Sequence, residues 1–249
     1  MTRRLLSFCL VFAALAAPAT AAVAAPPLRE KGDRSPLGDE RLSNERTLTR
    51  WAHTNLLGKV RSKPSERGRT VARLRWNTED GLPEVYVVLQ SRLDDEERAW
   101  LEIRIPGRPN GRTGWVREEQ LSNLKEVETH LTIDRRTLRA TLRKRGKKIW
   151  TSRVGIGAPG TITPKGRFWI RERLRNLGGS PVYGPWAFGT SAYSDTLTDW
   201  PGGGVVGIHG TNQPQLIPGR PSHGCVRLPN AKIVRLVRLM PVGTPVLIR

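Results

Sequence analysis

The chain has 249 residues, 42 basic and 22 acidic, with a formal net charge of +20. That length allows one large or two small domains. Two cysteines, Cys9 and Cys225, give no disulfide framework. Beyond the first 25 residues, no apolar run approaches the roughly 20 residues that crossing a bilayer takes.

The N-terminus reads as a secretory signal peptide over residues 1–24. Arg3 and Arg4 are followed by an uncharged run from Leu5 to Ala17, apolar except for Ser7, and then by small residues from Ala19 to Ala25. The run is short for an anchor, and Cys9 lies inside it rather than after a lipobox. Cleavage removes Cys9 with two arginines and no acidic residue, leaving about +18. An exported chain meets oxidising conditions, where cysteines usually pair. Cys225, left alone, is therefore an inert buried thiol or a reactive one. The basic residues are scattered rather than grouped with aromatics in a nucleic-acid motif. The expected partners are anionic cell-wall polymers and not nucleic acid. The expected location is the periplasm or cell wall, with no stable membrane anchor.

Residues 25–46 are rich in Pro, Gly and charge and read as a linker. Over residues 47–124, short β-type runs follow at Lys59–Arg61, Thr70–Leu74, Val85–Leu89, Trp100–Ile105 and Gly114–Val116. This part resembles a bacterial SH3-like domain. The features are Val60-Arg61-Ser62-Lys63-Pro64, Trp100-Leu101-Glu102-Ile103 and Gly114-Trp115-Val116. The resemblance implies a small barrel that binds wall polymers, packs against an enzyme, or serves only as scaffold.

Residues 126–249 are again β-rich. Strands are predicted at Thr129–Ile133, Thr137–Leu142, Lys148–Val154, Gly166–Ile170, Val205–His209 and Thr244–Ile248. Gly155–Pro164 reads as a broken loop. Ala231–Leu239 suits a short amphipathic helix ended by Pro241 and Gly243. The fold class expected is mainly β: a small barrel, then a β-rich domain with one or two short helices.

Two segments carry the chemistry, Gly207-Ile208-His209-Gly210-Thr211-Asn212 and Ser222-His223-Gly224-Cys225-Val226-Arg227-Leu228. A histidine near a thiol can take its proton and later return it. Glycine beside the cysteine admits close backbone approach. The N–H groups around Gly224 and Cys225 are candidates to hold an oxyanion. Three readings stand on the residues alone: a Cys-His nucleophile, zinc on His209, His223 and Cys225, or a structural thiol.

The segments resemble the signature of the L,D-transpeptidase (YkuD-like) family: His-Gly, a gap, then Ser/Thr-His-Gly-Cys, an apolar residue and Arg. Gly155-Ile156-Gly157 and Thr163-Pro164-Lys165-Gly166 match as well, so the resemblance spans about half the chain. It implies a β-rich body without metal or cofactor. In the reaction the resemblance implies, Cys225 would attack the carbonyl between the diamino acid and D-Ala of a peptidoglycan stem, D-Ala would leave, and a neighbouring amine would resolve the thioester into a 3→3 cross-link. It assigns His209 as base and His223 as a neighbour that orients the site or serves structure. Ser222, Gly224, Gly210 and Arg227 fall on the substrate side, Arg227 either contacting a stem carboxylate or, as preferred, holding the loop. Tyr193 lies in Ala187–Leu197, where the family places a substrate-covering segment; Trp186 and Trp200 share that neighbourhood. Two rivals remain: a carboxypeptidase or endopeptidase passing the same thioester to water, and a non-catalytic basic wall-binding protein.

Overall fold

The computed structural model describes residues 37–175, 179–198 and 201–249. The expected signal peptide, most of the linker and Trp200 lie outside the described residues.

The N-terminal unit is an antiparallel sheet of β1 (Glu40–Arg41), β2 (Thr49–Ala52), β3 (Lys59–Arg61), β4 (Thr70–Arg73), β5 (Tyr86–Leu93), β6 (Ala99–Arg104), β7 (Thr113–Arg117) and β8 (Lys125–Val127). The order is β4-β3-β7-β6-β5-β2-β8, with β1 beside β5. Alternation along β7 buries Gly114 and Val116, and Val116 joins Val60, Val88, Leu101 and Ile103 in the core. Residues 37–46, expected as linker, belong to this unit. Leu42 is in the core with Leu37 packed against it, and Glu45 pairs with Arg104 at 2.6 Å. The segment has few apolar residues, but the fold uses both of these leucines.

The second unit contains β9 (Thr129–Asp134), β10 (Arg139–Lys144), β11 (Lys147–Arg153), β12 (Gly155–Gly157), β13 (Gly166–Arg175), β14 (Trp186–Tyr193), β15 (Val205–His209), β16 (Gly219–Ser222), β17 (Val226–Arg227) and β18 (Pro245–Ile248). They run β11-β10-β9-β18-β13-β14-β15-β17-β12-β16. Three neighbouring pairs are parallel, β9 with β18, β15 with β17, and β12 with β16. One helix, α1 (Asn230–Leu239), buries Ile233, Leu236 and Val237 and stops before Pro241, which cannot donate to the next turn.

One segment read from sequence as a loop contains a strand, and a second strand falls where no element was predicted. Gly155–Gly157 pairs with both β16 and β17. Trp186–Tyr193 lies between β13 and β15 and is buried along almost its whole length. A strand covered on both faces has no polar alternation to announce it. Its small residues, Ala187, Gly189, Ser191 and Ala192, resemble a loop in composition.

The two units share a packed boundary. Trp169 of β13 joins Trp51, Val85, Val87 and Val127 in one apolar cluster, and its Nε1–H donates to Val85 O at 2.7 Å. Beside it, the fully buried Arg171 donates to both Glu84 oxygens, at 2.7 and 2.6 Å, and meets Glu79 at 2.9 Å. A buried charge needs such partners, because removing them leaves it uncompensated.

Candidate active site

The site is built on the parallel pair β15 and β17. Ile208 is opposite Val226 and His209 opposite Arg227. Successive strand residues face opposite sides, so Gly207 and His209 share a face with Cys225 and Arg227. Gly207 carries no side chain, and the sulfur and imidazole converge over it. A Cβ there would lie 3.8 Å from Cys225 Sγ and 3.9 Å from His209 Cδ2. The Gly207 N–H points at Sγ, 3.3 Å away.

His209 is held in one tautomer. Its Nδ1 lies 2.6 Å from Gly210 O, and a carbonyl only accepts, so Nδ1 carries the proton and Nε2 keeps its lone pair. The edge of Tyr183 meets the imidazole, with ring centroids 5.1 Å apart. Burial pulls the His209 pKa down to about 4, against the Gly210 hydrogen bond, and Arg227 pulls the same way. Burial pushes the Cys225 thiol up, opposed by the Gly207 N–H and the charge of Arg227. Both shifts favour the uncharged pair at neutral pH, a thiol beside a free imidazole base. The thiol must lose its proton as it attacks, which is general-base chemistry.

The dyad opens into a cavity of about 260 Å3, with Val182, Tyr183, Leu197, Val205 and Val206 around His209, Ser222, His223, Cys225 and Arg227. Residues 128–248 match the family model of the L,D-transpeptidase catalytic domain, YkuD. The C-terminal half of the chain is a YkuD domain. It is similar to YkuD of Bacillus subtilis (strain 168), 36% identical over 118 residues, which are 47% of this chain and 63% of that protein. Similarity to YqjB of the same organism is 34% over 103 residues, 38% of this chain and 56% of that one. The chain thus spans less than two thirds of the length of these relatives. A solved structure, the catalytic domain of an E. faecium L,D-transpeptidase, is 25% identical, covers 49% of this chain and 96% of that chain, and has a TM-score of 0.36.

The cysteine loop of the YkuD domain is pinned from within. Ser222 Oγ donates to Cys225 O at 2.6 Å and accepts the Gly224 N–H at 3.2 Å. The Gly224 N–H is therefore part of the loop's own bonding, which corrects its assignment as an oxyanion donor. Gly224 has φ +124°, a conformation other residues rarely adopt. Behind it the buried Thr163 donates to Gly224 O at 2.7 Å and accepts the Gly157 N–H at 2.9 Å. Ala158 N–H adds a bond to Ser222 O. The glycine-broken segment expected as loop is thus the bracket of the nucleophile.

The remaining sequence candidates separate. Ser222, His223 and Arg227 line the cavity, and His223 is exposed. Arg227 Nη1 donates to Gln213 at 3.1 Å, while its Nε is buried without a hydrogen-bond partner among the described residues. Gly210 is not in the cavity wall. It is buried, donates to Trp186 O, and its carbonyl orients His209. Tyr193 is also outside the wall, 5% exposed, with its hydroxyl bonded to Glu79 and 3.3 Å from Arg171 Nη1. The expected substrate contact at Tyr193 is replaced by a role in the domain boundary, because the strand carrying it is central. Trp186 packs against the core of the YkuD domain. Among the described residues, no group of three or more His, Cys, Asp or Glu is arranged to hold a metal ion.

Sequence reasoning missed Gly207 as the sulfur's donor, Tyr183 beside the base, and Thr163 behind the loop. It also missed Asn230, whose Oδ1 accepts the Thr211 N–H at 2.9 Å and fixes the turn after His209. Gly207 and Thr163 left local signals, in the Gly-Ile-His-Gly and Thr-Pro-Lys-Gly segments already singled out.

Proposed function

We propose that this protein is an exported acyltransferase that cross-links peptidoglycan stem peptides, with Cys225 as nucleophile and His209 as base. The observation that carries the reading is the neutral dyad in an open cavity, its free Nε2 fixed by the Nδ1–H bond to Gly210.

In the acylation step the Cys225 proton passes to His209 Nε2 as the sulfur bonds to the carbonyl carbon before D-Ala. The Gly207 N–H steadies the sulfur as charge builds. The backbone N–H of Cys225 is the donor proposed for the oxyanion, where such fixed dipoles act strongly. Collapse breaks the C–N bond, His209 returns its proton to the departing D-Ala amine, and a thioester remains. An amine of a second stem then attacks the thioester, gives its proton to His209, and releases Cys225, which takes that proton back. Arg227 keeps positive charge beside the sulfur, and His223 stands at the cavity mouth, where it can meet the acceptor.

Intact-mass spectrometry after incubation with a tetrapeptide stem tests this. The expected result is an acyl adduct on Cys225 with one D-Ala released, and a cross-linked product once acceptor stem is added. Absence of adduct and of D-Ala from folded protein overturns the reading. An adduct resolved only by water places the chain among the carboxypeptidases.

A further inference from the structure

The far wall of the cavity includes Ser194, Leu197 and Gly204, which face the dyad. Its own domain gives short local bonds, such as Leu197 N–H to Ser194 Oγ at 3.1 Å, and the other unit adds longer-range support to this wall. The turn between β6 and β7 of the N-terminal unit reaches across and inserts Arg108 into it. Arg108 Nε donates to Ser194 O at 2.9 Å, Nη1 to Gly203 O at 3.0 Å and Nη2 to Leu197 O at 3.1 Å. One guanidinium thus gathers three carbonyls spread over ten residues, and its Cζ sits 5.3 Å from the centre of the Tyr193 ring. Asn110, two residues on, donates to Tyr193 O at 2.8 Å and accepts the Tyr193 N–H at 3.0 Å, clasping the end of β14.

The wall is shaped to receive this side chain. Gly204 has φ +79°, and a Cβ on it would lie 1.9 Å from Leu197 O and 2.6 Å from Arg108 Nη2. Ser194 N–H donates to Gly204 O at 2.8 Å, closing the segment around the guanidinium. Only a planar fork with several donors in fixed directions satisfies three such acceptors at once; a lysine ammonium does not reach them in the same geometry. Docking of the two units does not rest on this contact alone, since Trp169 and Arg171 also bury the boundary.

We propose that Arg108 and Asn110 are positioning residues that set the width of the donor cleft, so that the N-terminal unit determines which acyl donors reach Cys225. The inference rests on the proposed acyl transfer only for its substrate readout.

The test compares full-length wild type, Arg108→Ala, Arg108→Lys and Trp169→Phe. Two readouts are used: the KM and kcat of stem acylation, and the ratio of Cys225 alkylation rates by iodoacetamide and by a bulky N-aryl maleimide. With the wall released, Arg108→Ala is expected to raise KM about tenfold with a smaller change in kcat, and to shift the alkylation ratio at least about fivefold. Arg108→Lys should fall between Arg108→Ala and wild type. Trp169→Phe weakens the boundary elsewhere and should leave the ratio at its wild-type value. If Arg108→Ala fails to show a cooperative melt, Arg108→Lys decides by the same ratio. A ratio within twofold of wild type in the folded Arg108 variant overturns the proposal, and so does an equal shift in Trp169→Phe. If wild type forms no acyl-enzyme, the functional reading fails while the alkylation ratio still decides the role of Arg108.

Discussion

The cysteine loop at 222–227 and the opposite wall, with Ser194, Leu197 and Gly204, face the same cavity but are fixed in different ways. The loop is held by its own domain through Thr163, Gly157, Ala158 and an internal Ser222 bridge. The wall, beyond its local bonds, is held by side chains from a separate unit more than eighty residues earlier in the chain. The chemistry is therefore built locally and can be carried by short motifs. The shape of the space around it depends on a long-range fit between two folded units, which can vary without touching the dyad.

Substitutions on the loop side should have the largest effects. Cys225→Ala is expected to lower stem acylation by at least about 10³-fold and to remove the mass adduct while leaving the melting curve in place. His209→Ala should cost about 10²- to 10⁴-fold in acylation rate, the range for losing a positioned base.

The pH profile sharpens the comparison because it reports on the dyad alone. Burial keeps His209 neutral well below its ordinary range, so acylation should hold a plateau through neutral pH and fall as pH approaches about 4. Stability should follow the same sign. His209 binds its proton more readily in the unfolded chain, so its share of stability, on the order of 3 kcal/mol, is intact above about pH 6.5 and is lost as pH falls to about 4. A pre-ionised thiolate pair would instead lose activity at the thiol's own pKa, below neutral.

Two smaller effects mark the brackets themselves. Thr163→Val leaves the Gly157 N–H and Gly224 O without their shared partner and should cost about 1–3 kcal/mol in urea unfolding, with slower acylation as the loop loosens. Trp169→Phe loses only the bond to Val85 O and some apolar area, about 1 kcal/mol, and acylation of a stem should stay near wild type. A larger loss of activity in Trp169→Phe than in Thr163→Val would reverse the comparison.

The same division explains what could be read from the amino-acid order. Cys225, His209 and the glycine of the loop were readable because thiol, base and φ-permissive backbone sit within 19 residues, and the two motif segments are adjacent strands. Most outer strands were readable from alternation, as at Thr129–Asp134 and Lys147–Arg153. The middle of the sheet was not. β14 is buried on both faces and shows no period, so nothing in its residues countered the substrate contact that the family resemblance implies for Tyr193, which belongs to the boundary. Arg108 could not be singled out among 42 basic residues, because its acceptors are backbone carbonyls, which leave no trace in side-chain identity. Glu172 escaped notice for a related reason. Its carboxyl is pushed upward by burial and takes a hydrogen bond from Thr78 across the boundary, a pairing that only the assembled units create.

Arg171 has a consequence for how the molecule could be divided or inherited. Its guanidinium is sheathed by Glu84 and Glu79, which lie on the other side of the boundary. A fragment beginning at β9 would expose that cation and the indole of Trp169 to water. Joining the YkuD domain to a new neighbour would therefore need a matching acidic socket for that guanidinium.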